Sequence, residues 1–294
     1  MERTYECKYV DNKKIKKGIR IKRHKVIKNF IIYAILISGA FVVIYPFFFM
    51  VINSLKTGPE IMHHPNALPR EISLKGYIGV FKLLDVPRLF LNTIFISGSV
   101  TILNTIFSSM VAYGIVKTQI PGRKVLFKII LGSMMIPGIL LLIPTYMMMY
   151  NWNWINTYRV LIIPAAISAY NIFLMMQFMK QIDNAYLEAA RIDGASEWQI
   201  FWKIVLPMSK PALATIMILT FMGSWNDFFG PLLYLRDESL MTLQLGLYRF
   251  SSSIPGKHIE QLWAATTMIS IPVVIVFFFL QKNFIKAFTG IGLK

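Results

Sequence analysis

Residues 223–231 read Gly223-Ser224-Trp225-Asn226-Asp227-Phe228-Phe229-Gly230-Pro231. Hydroxyl, amide, carboxylate and ring groups follow one another here, near the end of a long apolar run. A sugar is held by that mixture, since polar groups take its hydroxyls and rings cover its apolar face. An interfacial aromatic belt with a helix break accounts for the same residues, and both readings stay open. Trp225, Asn226 and Asp227 are the candidates for contact with a solute. A second set is Ser97, Thr101, Asn104, Thr105 and Ser108, spaced i, i+4, i+7, i+8 and i+11 on one helical face. A one-sided polar stripe avoids lipid. It either packs helices closely or lines a watery pathway, for which Asn104 and Ser108 are the candidates.

Other chemistry is missing. The Gly256-Lys257 pair lacks the preceding glycine spacing and the following Ser or Thr of a nucleotide-binding loop. Any ATP and Mg must therefore be bound by another chain, and this chain carries no cofactor and no catalytic residue. His63-His64 points two ways from an extended loop, which suits a solvated pair better than a metal contact. The middles of the long apolar runs hold no Lys, Arg, Asp, Glu or His. Ion-coupled carriers and voltage sensors place charges there, so the pattern favours a neutral cargo.

These residues need helices to position them. The chain has 294 residues, 55% hydrophobic and 15% charged, where soluble domains carry about 25% charged residues. Apolar runs near the roughly 20-residue length of a bilayer span fall at about 30–52, 91–116, 126–149, 160–179, 211–235 and 262–281. The expected fold is an all-α integral membrane protein with about six transmembrane helices. Residues 1–29 are a basic head, 30–281 the six-helix domain and 282–294 a short tail. Pro137 and Pro144 are expected to kink the third span.

The net charge of +17 does not mark a nucleic-acid binder. Eleven Lys and Arg crowd into residues 1–29 with no stacking platform among them. They read as an orientation signal that also suits anionic lipid. With the N-terminus inside, cytoplasmic segments hold 22 Lys and Arg and external ones 9, so both ends are expected in the cytoplasm. Cys7 is the sole cysteine, so no internal disulfide can form.

Between spans four and five, residues 181–210 are too polar to cross. Asp183 can cap a short helix that Gly194 stops. Ser196 and Gln199 form a capping box for a second, with Trp198, Phe201, Trp202 and Val205 on one face, ended by Pro207. The first helix offers the small pair Ala189-Ala190 beside the charge of Glu188. A docking knob and an ordinary loop both fit.

The string Glu188-Ala189-Ala190-Arg191-Ile192-Asp193-Gly194-Ala195, followed by Ile204-Val205-Leu206-Pro207, resembles the EAA loop of binding-protein-dependent ABC importers. Over about residues 28–294 the chain is similar to the MalG-like permeases of their carbohydrate-uptake branch. Asn53-Ser54-Leu55-Lys56-Thr57 and Trp225-Asn226-Asp227-Phe228 support that likeness. The resemblance implies the type I importer permease fold in a bacterial plasma membrane. It implies a second permease, a different, MalF-like chain. It further implies two ATPase subunits that bind ATP and Mg, and an extracytoplasmic solute-binding protein. Glu188, Ala189, Ala190, Asp193 and Gly194 would dock an ATPase as a coupling helix. The implied cargo is a sugar, in particular an oligosaccharide. The rivals are an importer for a peptide or a polyol phosphate, and a stand-alone secondary carrier.

Overall fold

The computed structural model describes the backbone of residues 2–253 and 259–290, and the side chains of 28–249, 259–279 and 281. The Gly256-Lys257 pair, the side chains of the basic head with Cys7, and the end of the tail at 291–294 lie outside the described residues. Every regular element that is described is helical. The chain opens with α1 (Glu2–Ser54), followed by the short α2 (Gly58–His63) and α3 (Lys75–Leu83). The central helices are α4 (Val86–Lys117), α5 (Arg123–Met134), α6 (Leu142–Asn151), α7 (Arg159–Ala165) and α8 (Ala169–Met179). Beyond them come α9 (Asn184–Ile192), α10 (Glu197–Ile200), a π-helical turn at Phe201–Val205 and α11 (Leu206–Met208). The remainder is α12 (Lys210–Trp225), α13 (Phe229–Tyr234), α14 (Leu243–Ser253) and α15 (Ile259–Gly290).

Four stretches are long and apolar enough to cross a bilayer: Lys28–Ser54, Val86–Lys117, Arg159–Met179 and Ile259–Phe279. Two bent pairs bring the number to six if each is one span. The first pair, Arg123–Met134 with Gly138–Asn151, turns by 93°. Here the sequence reading of two kinks needs correction. Pro137 alone breaks the chain, because the residue before a proline is pushed out of the helical region. Pro144 sits in the first turn of α6, where its missing N–H costs nothing. The second pair, Glu197–Met208 with Lys210–Trp225, turns by 81° at Ser209.

The other expected spans differ in their ends and continuity. The helix at 91–116 starts five residues earlier, at Val86, where Asp85 caps it by accepting from the Arg88 backbone N–H at 3.3 Å. The span at 160–179 is interrupted at 166–168, where Ser168 is extended and caps α8 through the Asn171 N–H. The run at 211–235 stops at Trp225, and α13 resumes four residues later.

The helices α4, α8, α12 and α15 pack as the centre of the bundle, and α1 and α3 lie against α15. One apolar cluster gathers Ala112, Tyr113, Met175, Met179, Leu187, Phe201, Val205 and Ile216. A second joins Leu89, Trp225, Leu235, Leu245 and Ile269. Two residues beyond the end of α1 lies a fully buried lysine, Lys56. Its Nζ donates to Asn53 Oδ1 at 3.2 Å, the His64 carbonyl at 3.1 Å and the Pro65 carbonyl at 3.0 Å. An ammonium has three protons, and each finds an oxygen.

Close approach of α3 and α15 depends on glycine. A Cβ on Gly76 would lie 2.5 Å from the Glu260 carbonyl oxygen, a backbone atom that cannot step aside. Gly39 on α1 faces open space. Gly76→Val is therefore expected to destabilise the protein by about 1–3 kcal/mol through overpacking, while Gly39→Val leaves it unchanged. Thermal unfolding of the two variants in the same detergent checks this, and equal midpoints would refute it.

Candidate functional site

Inside the bundle, α4, α7, α8, α12 and α13 surround a cavity of about 400 Å³. The break between α7 and α8 shapes it. A broken helix in hydrocarbon exposes backbone groups that must find partners inside the protein. The Ala165 carbonyl, at the end of α7, accepts from Asn104 Nδ2 at 2.8 Å. Asn104 Oδ1 then accepts from Asn171 Nδ2 at 2.7 Å and from Ser108 Oγ at 3.2 Å. Asn171 Nδ2 also donates to Thr220 Oγ1 on α12 at 2.9 Å. One amide network thus joins α4, α7, α8 and α12.

The polar stripe of α4 is accordingly turned inward. Ser97, Thr101, Asn104 and Ser108 are buried. Ser97 and Thr101 bond carbonyls one turn back on their own helix, both at 2.6 Å. Asn104 is the member of the stripe that reaches the cavity wall, and Ser108 lies behind it. Most of the stripe is thus packed between helices, and Asn104 is at the cavity wall.

The triplet at 225–227 separates in the same way. Trp225 is 1% exposed, donates Nε1–H to the Ile269 carbonyl at 3.1 Å and stacks on Phe221. It is not on the cavity wall, which corrects its reading as a solute contact. Asn226 is exposed and caps the end of α12 through the Met222 carbonyl at 2.9 Å. Asp227 does line the cavity, with Oδ1 accepting from the Gly230 N–H at 3.1 Å. The wall also carries Asn171, Thr220, Ser224 and Thr242. It holds one carboxylate and no cation, so it suits hydroxyl-bearing solutes over anions.

Asn171 and Thr220 are the members that sequence reading missed. Each is isolated in an apolar run, outside any stripe. The available signal was the cost of a lone amide in a membrane helix, which implies a partner on another helix.

At one end of the bundle the polar loop forms a second site. Asp183 Oδ1 accepts from the Ala185 N–H at 3.0 Å and starts α9. Gly194, at φ +80°, ends it in the left-handed region. Ser196 and Gln199 form the expected capping box. Leu187 is buried and holds α9 down. Glu188, Ala189, Asp193 and Gly194 are exposed, and Ala190 is half-buried. Tyr186 and Ile192 are 58% and 87% exposed. A small-residue helix with apolar side chains uncovered on a polar loop is suited to a protein partner. The expected aromatic face of the next segment is altered by the π turn. Phe201 and Val205 go inward with Ile200, while Trp198 and Trp202 face out.

This loop is tied back to α4. Arg191 Nε donates to Glu197 Oε1 at 2.7 Å, and Glu197 Oε2 accepts from the Tyr113 hydroxyl. The bond to Glu197 raises the Arg191 guanidinium above its ordinary value. Among the described residues no cluster of His, Cys, Asp or Glu has the geometry of a metal site.

Comparison with known proteins adds relatives. The family described as "Binding-protein-dependent transport system inner membrane component" matches residues 104–290. The arabinooligosaccharides transport system permease protein AraQ of Halalkalibacterium halodurans is 33% identical over 259 residues, covering 87% of this chain and 92% of that one. The diacetylchitobiose uptake system permease protein NgcG of Streptomyces coelicolor is 28% identical, covering 85% and 84%. Among solved structures, a chain of a bacterial ABC transporter involved in import of the acidic polysaccharide alginate superposes with TM-score 0.77. It is 30% identical, over 86% of this chain and 95% of that one.

The contrast between neighbours in sequence gives a stability test. Truncating the buried Trp225 to alanine should cost about 3–5 kcal/mol. Asn226→Ala, on the surface, should stay within about 0.5 kcal/mol. Thermal midpoints in detergent distinguish them, and comparable losses would contradict the burial of Trp225.

Proposed function

Because the chain belongs to the family of binding-protein-dependent transport system inner membrane components, we propose that it forms half of the translocation pathway of an ATP-driven importer of neutral oligosaccharides. The observation that carries this reading is α9. It is a short helix, capped at both ends, anchored by Leu187, with Tyr186, Ala189 and Ile192 uncovered. In this proposal Glu188, Ala189, Ala190, Asp193 and Gly194 dock an ATPase subunit. That subunit binds ATP and Mg, and this chain has no ATPase site of its own. A second, different permease completes the pathway, and an extracytoplasmic binding protein delivers the sugar. Both chain ends then face the cytoplasm, in keeping with the charge bias of the sequence.

The cargo follows from two supports. The relatives carry sugar-transport names, and the cavity wall offers neutral hydrogen-bonding groups with one carboxylate and no cation. Of the solute candidates read from the sequence, Asn104 and Asp227 are the ones on the cavity wall. An acidic cargo such as alginate, carried by the structural relative's system, would meet the Asp227 carboxylate unfavourably.

Purifying the tagged chain from its native membrane in mild detergent tests the assembly. An ATPase and a second permease should co-purify, with hydrolysis stimulated by the binding protein and a neutral oligosaccharide. The variant Glu188→Lys should insert at normal levels but lose stimulated hydrolysis and uptake by at least about 10-fold, the effect of losing about 1.4 kcal/mol at the contact. Unchanged uptake at matched protein level would remove α9 from the docking role. Recovery of the chain alone would instead favour a stand-alone carrier.

A further inference from the structure

The importer reading leaves open how displacement of α9 reaches the cavity. On that reading, we infer that Tyr113, Glu197 and Arg191 form a joint that carries motion of the loop into α4, and through α4 to the Asn104 wall. They are positioning residues, remote from any solute.

Three elements meet at the joint. Tyr113 comes from α4, Arg191 from the end of α9 and Glu197 from the start of α10. The Glu197 carboxylate is bridged on both oxygens, to Arg191 and to Tyr113. Arg191 also reaches the Lys117 carbonyl on α4, at 3.4 Å. A parallel tie runs the other way. Lys117 Nζ donates to the Ile182 carbonyl and to Asn184 Oδ1, the latter at 2.8 Å. So both ends of α9 are fastened to the last turns of the same helix.

The fastening is rigid where it meets α4 and articulated elsewhere. From Val86 to Lys117 the helix α4 is unbroken. Nine residues separate Tyr113 from Asn104, about 13 Å at the usual helical rise. The loop's continuation into α12, by contrast, passes the π turn and the 81° bend. A push on α9 can be absorbed along that route but is delivered along α4.

Stability does not explain the polar members. A half-exposed ion pair such as Arg191 with Glu197 contributes little to folding. Tyr113 is 6% exposed with its ring 5.3 Å from that of Phe201, a packing role that phenylalanine would serve as well. What its hydroxyl adds is a directional link to the loop.

The test uses the complete assembly of permeases and ATPase subunits in lipid vesicles. A Cys7→Ser, Ser224→Cys background places one thiol of this chain on the cavity wall. Its reaction rate with a small polar maleimide is measured with and without a non-hydrolysable ATP analogue. Nucleotide should change that rate in the otherwise unaltered assembly. In Tyr113→Phe and Glu197→Gln the nucleotide-driven change should shrink at least about 5-fold, the lower end of ordinary coupling between sites. Subunit stoichiometry and basal hydrolysis should stay as before. The paired reversal Arg191→Glu with Glu197→Arg should recover part of the response that Glu197→Arg alone loses. A full response in both single variants at equal stoichiometry would overturn the joint. So would loss of the ATPase from Tyr113→Phe, since the hydroxyl would then serve docking. Absence of an ATPase from the unaltered assembly would instead overturn the importer reading itself.

Discussion

One asparagine holds the centre of this protein together. The chain breaks between α7 and α8 at membrane depth, and the carbonyl of Ala165 loses its partner along the helix. In water that would be a minor event. In hydrocarbon an unpaired carbonyl is costly, and Asn104 supplies the missing donor from α4. Its own oxygen is then taken by Asn171 and Ser108. The broken helix, the straight helix and α12 are locked in one arrangement by four side chains. The cavity exists because the break is tolerated, and the break is tolerated because of Asn104.

Similar logic governs several helix starts. Asp85, Ser168, Asp183 and Ser196 each receive N–H groups that a helix start leaves unpaired. Trp225 gives its indole proton to the Ile269 carbonyl. The starts of α4, α8, α9 and α10 are received in this way by a side chain. Ser168 stands at the cavity, and Asp183 and Ser196 in the loop around α9, the two places where the proposed transport work is done.

The all-helical class, the apolar runs and the family resemblance were legible in the amino-acid pattern, because hydrocarbon thickness and the 181–210 string leave strong marks. The caps at Asp183 and Ser196 were legible as well, since capping is local chemistry. Continuity was not. Pro144 reads like Pro137, yet its place in the first turn of α6 makes it harmless. The gap at 166–168 has no strong breaker within it, and it persists through Asn104, 61 residues away in sequence. Trp225 and Asp227 stand two apart, and sequence gave them one role. A helix end between them sends one into the core and the other to the cavity. Long-range partners decide such matters, and a single sequence does not name them.

Lys56 carries a consequence of a practical kind. Its three protons are all committed to oxygens inside the fold. Acylation needs access to the amine, and this one is shielded from solvent. Lys75 and Lys82, on the neighbouring short helix, are exposed. Amine-directed cross-linkers used to chart contacts on this side of the protein would therefore report on the latter two and be blind at the end of α1. A map drawn that way would show a gap just past the end of the first span.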